Sequence, residues 1–127
     1  MIFIDTSVIM YAVGGEHPLR APARTLLADA VRDATPLCTS AEVLQELLHA
    51  YLGGGRPATL DAALELVERT VATVWPVEPE DVRLARTLAH RHPGLSARDL
   101  VHRACCLRRE VTRIHTFDRA LAAVFES

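Results

Sequence analysis

Three apolar residues, Ile2-Phe3-Ile4, run straight into Asp5-Thr6-Ser7 at the start of the chain. A strand buried on both faces reads this way where it leaves a parallel sheet and gives way to a helix. Pro36-Leu37-Cys38-Thr39, Val74 to Val77 and Arg113-Ile114-His115-Thr116-Phe117 are further candidate strands, and segments of helical periodicity separate them. Leu19, Ala23, Leu26, Leu27, Ala30 and Val31 recur at helical spacing between about Pro18 and Asp33. Thr39 and Glu42 have capping-box spacing for the next helix, whose stripe is Leu44, Leu47, Leu48, Tyr51 and Leu52 and whose end is marked by Gly53-Gly54-Gly55. Pro57 opens a helix with Leu60, Ala63, Leu64 and Val67, and Pro79 opens one that runs to about Arg91. Ser96 caps a helix containing Leu100, Val101, Ala104, Cys105 and Leu107, and Asp118 starts the last one, Ala120 to Phe125. Strands alternating with helices predict an α/β three-layer sandwich, a mostly parallel sheet of four or five strands flanked by helices. At 127 residues the expectation is a single domain over 1–127.

Composition removes several function classes. All 14 basic residues are Arg, and the absence of Lys excludes P-loop phosphate binding and Schiff-base catalysis. Cys38, Cys105 and Cys106 make neither a disulfide framework nor a zinc spacing, and they read as small core residues of a protein in a reducing cytoplasm. His90, His92, His102 and His115 lack the clear Cys/His spacing of a structural zinc set. His102 lies one turn beyond Asp99, within reach of it, although a surface position is the commoner one for such a residue. Trp75 is expected in the core. There is no signal-peptide pattern and no apolar run of the roughly 20 residues that a membrane span needs, so the expectation is a soluble protein.

Ligands of open α/β sheets bind outside the carboxyl ends of the strands, which directs attention to Asp5, Asp99 and Asp118. Each has a local explanation as well. Asp5 and Asp118 have the positions of N-caps, and Ser96 and Asp99 have capping-box spacing. Glu46 is different, because it falls two turns into its helix, where neither a cap nor the helix dipole rewards it. A solvated helix face is the plain alternative. Four carboxylates brought together repel, each pair at ~4 Å by roughly 4 kcal/mol at an effective dielectric of 20, and so require a cation. Hard oxygen ligands select Mg²⁺ or Mn²⁺, ions that most often serve phosphate chemistry.

Ile4-Asp5-Thr6-Ser7-Val8, Val43-Leu44-Gln45-Glu46-Leu47-Leu48, Leu95-Ser96-Ala97-Arg98-Asp99-Leu100-Val101-His102 and Thr116-Phe117-Asp118-Arg119-Ala120 resemble, in order and spacing, the motifs of PIN-domain ribonucleases, most closely the VapC toxins of toxin–antitoxin pairs. The resemblance implies a PIN-like fold, an endoribonuclease activity that depends on Mg²⁺ or Mn²⁺, and a metal site of Asp5, Glu46, Asp99 and Asp118. It gives Thr6, Ser7 and Thr116 the task of orienting carboxylates or water. It also implies a VapB-like antitoxin as partner, with dimerisation between toxins or a toxin–antitoxin hetero-oligomer. The chain departs from the family in two places: Arg119-Ala120-Leu121 supplies no further acid after Asp118, and no segment after the last helix reads as the short final strand common among relatives.

RNA affinity must come from phosphate contacts, and Arg98, Arg103, Arg108, Arg109, Arg113 and Arg119 form a local basic excess. A solvated face paired with Glu110 and Glu126 is the structural alternative for this run. Arg98 and Arg119 are the stronger RNA-binding candidates because they flank proposed ligands. Two rival functions remain: a PIN-like binding module without catalysis, which the four filled acidic positions oppose, and a metal-dependent phosphatase, whose DxD signature the Asp5-Thr6-Ser7 run lacks.

Overall fold

A computed structural model describes residues 1–126. Its elements are β1 (Ile2–Ile4), α1 (Thr6–Val13), α2 (Arg20–Arg32), β2 (Leu37–Ser40), α3 (Ala41–Gly53), α4 (Pro57–Thr70), β3 (Thr73–Trp75), α5 (Pro79–Leu88), α6 (Ala97–Arg108), β4 (Arg113–His115) and α7 (Arg119–Glu126). The four strands form one sheet in the order β3-β2-β1-β4, and every pairing is parallel. The chain winds outward from β1 to β2 to β3, then returns across the sheet to place β4 on the other side of β1. The order therefore reverses between β1 and β4, which is where the strand ends of an open sheet leave a crevice for a ligand.

The central strand is apolar because helices cover both of its faces: Phe3 and Ile4 have no exposed surface, and Val8, Ile9, Val43 and Leu47 close over them. A smaller apolar cluster of Ala85, Leu88, Leu100 and Ala104 joins α5 to α6. All three cysteines are free and buried, as small core residues. Trp75 is only half-buried at the edge strand, with the Arg109 guanidinium 5.4 Å from its ring centre. No helix among the described residues is long and apolar enough to cross a membrane.

Several local expectations are revised. Thr39 does not cap α3: it ends inside β2, and its hydroxyl donates to the Ile4 carbonyl at 2.8 Å, clamping β2 to β1. Ser40 is the N-cap residue, without a side-chain cap bond, so Glu42 has no box to complete. Strand pairing points the Thr39 hydroxyl at a buried acceptor on the neighbouring strand, and that bond displaces the local one. Of the expected α3 stripe, Leu47 and Tyr51 are buried beside Val43, whereas Leu48 and Leu52 are about half exposed. The helix stops where expected, with Gly55 at φ 67°, the left-handed conformation that glycine adopts without strain.

At α6 only half of the proposed box forms: Ser96 Oγ accepts from the Asp99 amide at 3.2 Å, leaving the Asp99 carboxylate free to point elsewhere. A complete capping box occurs instead on α5, between Glu78 and Asp81. Arg108 and Arg109 pair with those same two acids across the α5–α6 hairpin, and not with Glu110 or Glu126.

Candidate metal centre

The carboxyl edge of the sheet delivers side chains from four separate stretches. Asp5 leaves β1 with its amide donating to the His115 carbonyl of β4 at 3.1 Å, so the switch between the two strands holds its backbone. Its Oδ2 accepts from Thr116 Oγ1 at 2.6 Å and from Ser7 Oγ at 3.1 Å. Ser7 Oγ in turn accepts from the Phe117 amide at 3.1 Å, and Thr116 Oγ1 from the Asp118 amide at 3.0 Å. These bonds tie the start of α1 to the exit of β4 and leave Asp5 Oδ1 3.8 Å from His102 Nε2.

Asp99 reaches the same space from the first turn of α6, and His102 follows it one turn later. Among the described residues, the His, Cys, Asp and Glu ligand atoms that gather in a group of three are those of Asp5, Asp99 and His102, all within 4.8 Å of one another. Glu46 comes in from α3: its Oε2 accepts from Thr6 Oγ1 at 2.8 Å, and its Oε1 lies 2.6 Å from His102 Nε2. Asp118 stands on the exposed rim and caps α7, its Oδ1 accepting from the Ala120 and Leu121 amides at 2.9 and 3.2 Å. Arg98 and Arg119 are both exposed, with Arg98 Nε 4.0 Å from Glu42 Oε1.

Charge follows from this layout. Burial first, and then the carboxylates of Asp5 and Asp118, hold the Asp99 carboxyl above the usual carboxylate range. Burial also opposes ionisation of Glu46, but the hydrogen bond and charge of His102, with the Thr6 hydroxyl and Arg98, carry it below that range. For His102 burial disfavours the cation, while Glu46, Asp5 and Asp99 together raise its pKa. A group of hard oxygen donors around one imidazole, with one carboxyl whose ionisation is opposed by burial and by its acidic neighbours, fits a divalent cation.

The arrangement has a measurable consequence for the metal-free protein. A carboxyl whose folded pKa is raised binds its proton more tightly folded than unfolded, so the stability it contributes is present at low pH and lost as pH rises from about 4 towards the raised value. Melting curves in chelator should show wild type losing more stability than Asp99→Asn over this interval, and added Mg²⁺ should remove the difference. Parallel curves for the two proteins in chelator would place Asp99 outside the cluster.

His102 is the residue that sequence reasoning undervalued. It is wholly buried, where a surface position was expected. Its place three and four positions ahead of the buried Cys105 and Cys106, on their stripe of α6, was the available signal.

The family profile for "PIN domain" matches residues 2–126. The chain is 61% identical over 127 residues, the full length of both proteins, to Ribonuclease VapC23 of Mycobacterium tuberculosis. It is 39% identical over 119 residues, 94% of this chain and 91% of the other, to Ribonuclease VapC13 of the same organism. The crystal structure of Mycobacterium tuberculosis VapC20, described as a sarcin-ricin loop cleaving toxin, superposes with a TM-score of 0.77 over 98% of this chain and 95% of that one, at 23% identity, and so shares its fold. The chain belongs to the PIN-domain family and, within it, to the VapC group.

Proposed function

We propose that this chain is a divalent-cation-dependent endoribonuclease, hydrolysing RNA phosphodiester bonds as the toxin of a type II toxin–antitoxin pair. One observation carries the reading: Asp5 and Asp99, with His102, converge within 4.8 Å at the carboxyl edge of the sheet in a chain that aligns end to end with a named VapC ribonuclease. Asp5, Glu46, Asp99 and Asp118 are the carboxylates that would serve Mg²⁺ or Mn²⁺. When bound, such a cation polarises phosphoryl oxygens and lowers the pKa of a coordinated water.

The remaining groups have work of their own. Thr116 and Ser7 fix the Asp5 carboxylate, and Thr6 fixes that of Glu46. Thr6 and Ser7 direct their hydroxyl hydrogens to Glu46 and Asp5 and so orient those carboxylates, and the attacking group of the hydrolysis is water, with no covalent intermediate required. Arg98 and Arg119, both exposed, are the arginines we assign to phosphate contacts beside the scissile bond. Between α1, α2 and α4 lies a groove of about 790 Å³, lined by Ala12, Val13, Leu27, Val31 and Leu66 among others. We assign it to the apolar part of a VapB-like antitoxin, with the exposed Leu48 and Leu52 of α3 left for contact between toxins. The chain works as one domain in the cytoplasm.

The test is cleavage of total bacterial RNA by the purified protein with Mg²⁺, Mn²⁺ or chelator. Cleavage should require the cation. Glu46→Gln should slow it at least about tenfold at equal folded concentration. Glu42→Gln, one turn away on the same face but outside the centre, should leave it within about twofold. Cleavage that persists in chelator, or a loss confined to Glu42→Gln, would sink the assignment.

A further inference from the structure

Both oxygens of the Glu46 carboxylate meet a donor, one from α1 and one from α6. A charged side chain of α3 is thereby gripped from two other elements. The α6 donor, His102, has no exposed surface, and its ring packs 5.5 Å from that of Phe3 on β1. Its second nitrogen, Nδ1, is buried and meets no hydrogen-bond partner among the described residues.

That orphaned atom assigns the proton. A buried N–H without an acceptor is costly, so the neutral ring keeps its hydrogen on Nε2, and a protonated ring carries one there as well. In either charge state Nε2–H donates to Glu46 Oε1 at 2.6 Å, while Asp5 Oδ1 at 3.8 Å is too distant for a hydrogen bond. A residue needed only to fill space between Phe3 and the Cys105–Cys106 stripe would gain nothing from burying an unpaired nitrogen.

We propose that His102 is a positioning residue that acts through Glu46. Its Nε2 and the Thr6 hydroxyl fix the plane and direction in which the Glu46 carboxylate meets the centre. The proposal rests on the reading of Asp5, Glu46, Asp99 and Asp118 as the carboxylates of a ribonuclease's cation site, and gives His102, which that reading only places beside them, a task of its own. The terminal torsion of a Glu side chain is broad, so a carboxylate with one donor removed turns freely and presents a mixture of orientations. A charge-assisted bond to the second oxygen suppresses that freedom.

The experiment is a double-mutant cycle read on two quantities: Mn²⁺ affinity, from the free-ion EPR signal, and the single-turnover rate of Mn²⁺-dependent cleavage of total bacterial RNA. His102→Leu removes the donor, and His102→Gln puts an amide nitrogen near the place of Nε2. His102→Leu should weaken Mn²⁺ binding and slow cleavage by roughly 10–100-fold each, and His102→Gln should recover most of both. In the Glu46→Gln background His102→Leu should add less than about twofold, because the group it acts through is already changed. If it costs as much in that background as in wild type, or if folded His102→Leu binds Mn²⁺ like wild type, the proposal falls.

Should His102→Leu fail to fold, His102→Gln against His102→Asn decides, since the shorter amide reaches the place of Nδ1 and not of Nε2. Activity with Gln and loss with Asn supports the assignment; equal behaviour overturns it. The underlying reading fails in a different experiment: wild-type cleavage by Asp5→Asn would remove the centre while leaving any Mn²⁺ coupling between His102 and Glu46 measurable.

Discussion

Asp5→Asn should lower cation-dependent RNA cleavage by roughly a hundredfold or more while the protein keeps its fold, because the substitution removes a charge from the centre without removing the hydrogen bonds around it. The carboxamide oxygen can take the place of Oδ2 and still accept from Thr116 and Ser7, which hold that atom at 2.6 and 3.1 Å. The amide nitrogen then replaces Oδ1, the atom 3.8 Å from His102 Nε2, and a neutral donor there repels a cation. Cleavage at equal folded concentration, with circular dichroism as the check on folding, measures this. A variant that melts many degrees lower would show Asp5 to be chiefly a structural link between β1 and β4.

The largest effect on stability is expected far from the centre. Arg109 donates to Asp81 from both terminal nitrogens, at 2.9 and 3.3 Å, and also to Glu78 Oε1, to the Pro76 carbonyl and to the Cys105 carbonyl. Asp81 has no exposed surface. Burial alone would raise its pKa, but the bonds from Arg109, the Glu78 amide and Arg108 hold it below the usual range. Arg109→Leu leaves that buried charge with the Glu78 amide and, of the two cations, only Arg108. Breaking a buried pair from one side costs about 3–5 kcal/mol, and the low end applies while Arg108 stays. Urea unfolding should show a fall of about 3 kcal/mol, and an unchanged midpoint would refute it.

Asp81 stabilises the fold above its unfolded pKa, and this contribution is lost as pH falls through the ordinary carboxylate range towards the lowered folded value. The variant should therefore be less sensitive to acid than wild type. Its cleavage should survive at equal folded concentration, since Arg109 follows Asp99 by ten positions, roughly 15 Å along a helix.

Strands and helices were readable where a single local signal decides. Ile2-Phe3-Ile4 before Asp5, Ser96 before α6, Asp118 before α7 and the glycines after α3 all came out within a residue or two of the observed boundaries. What escaped were side chains whose partners lie far along the chain. Thr39 looked like a cap because Glu42 is three residues on, whereas its acceptor is 35 residues back on β1. Arg108 and Arg109 found their acids 27 to 31 positions away, and local charge counting offered Glu110 and Glu126 instead. His102 meets Glu46 across 56 positions. Periodicity gives the face of a helix, and only the packed fold gives its neighbour.

The bond from Thr116 to Asp5 spans 111 positions of the chain, and the strands that carry its two ends, β1 and β4, are the first and last to leave the ribosome. Closing so long a loop is a late and entropically expensive step of folding, so the centre is assembled only after β2 and β3 have somewhere to dock. An emerging chain that has β1, β2 and β3 has Asp5 and Glu46 but lacks the exit of β4 that orients Asp5. For a nuclease made in the presence of the cell's own RNA, this order of assembly is a built-in delay between synthesis and cutting.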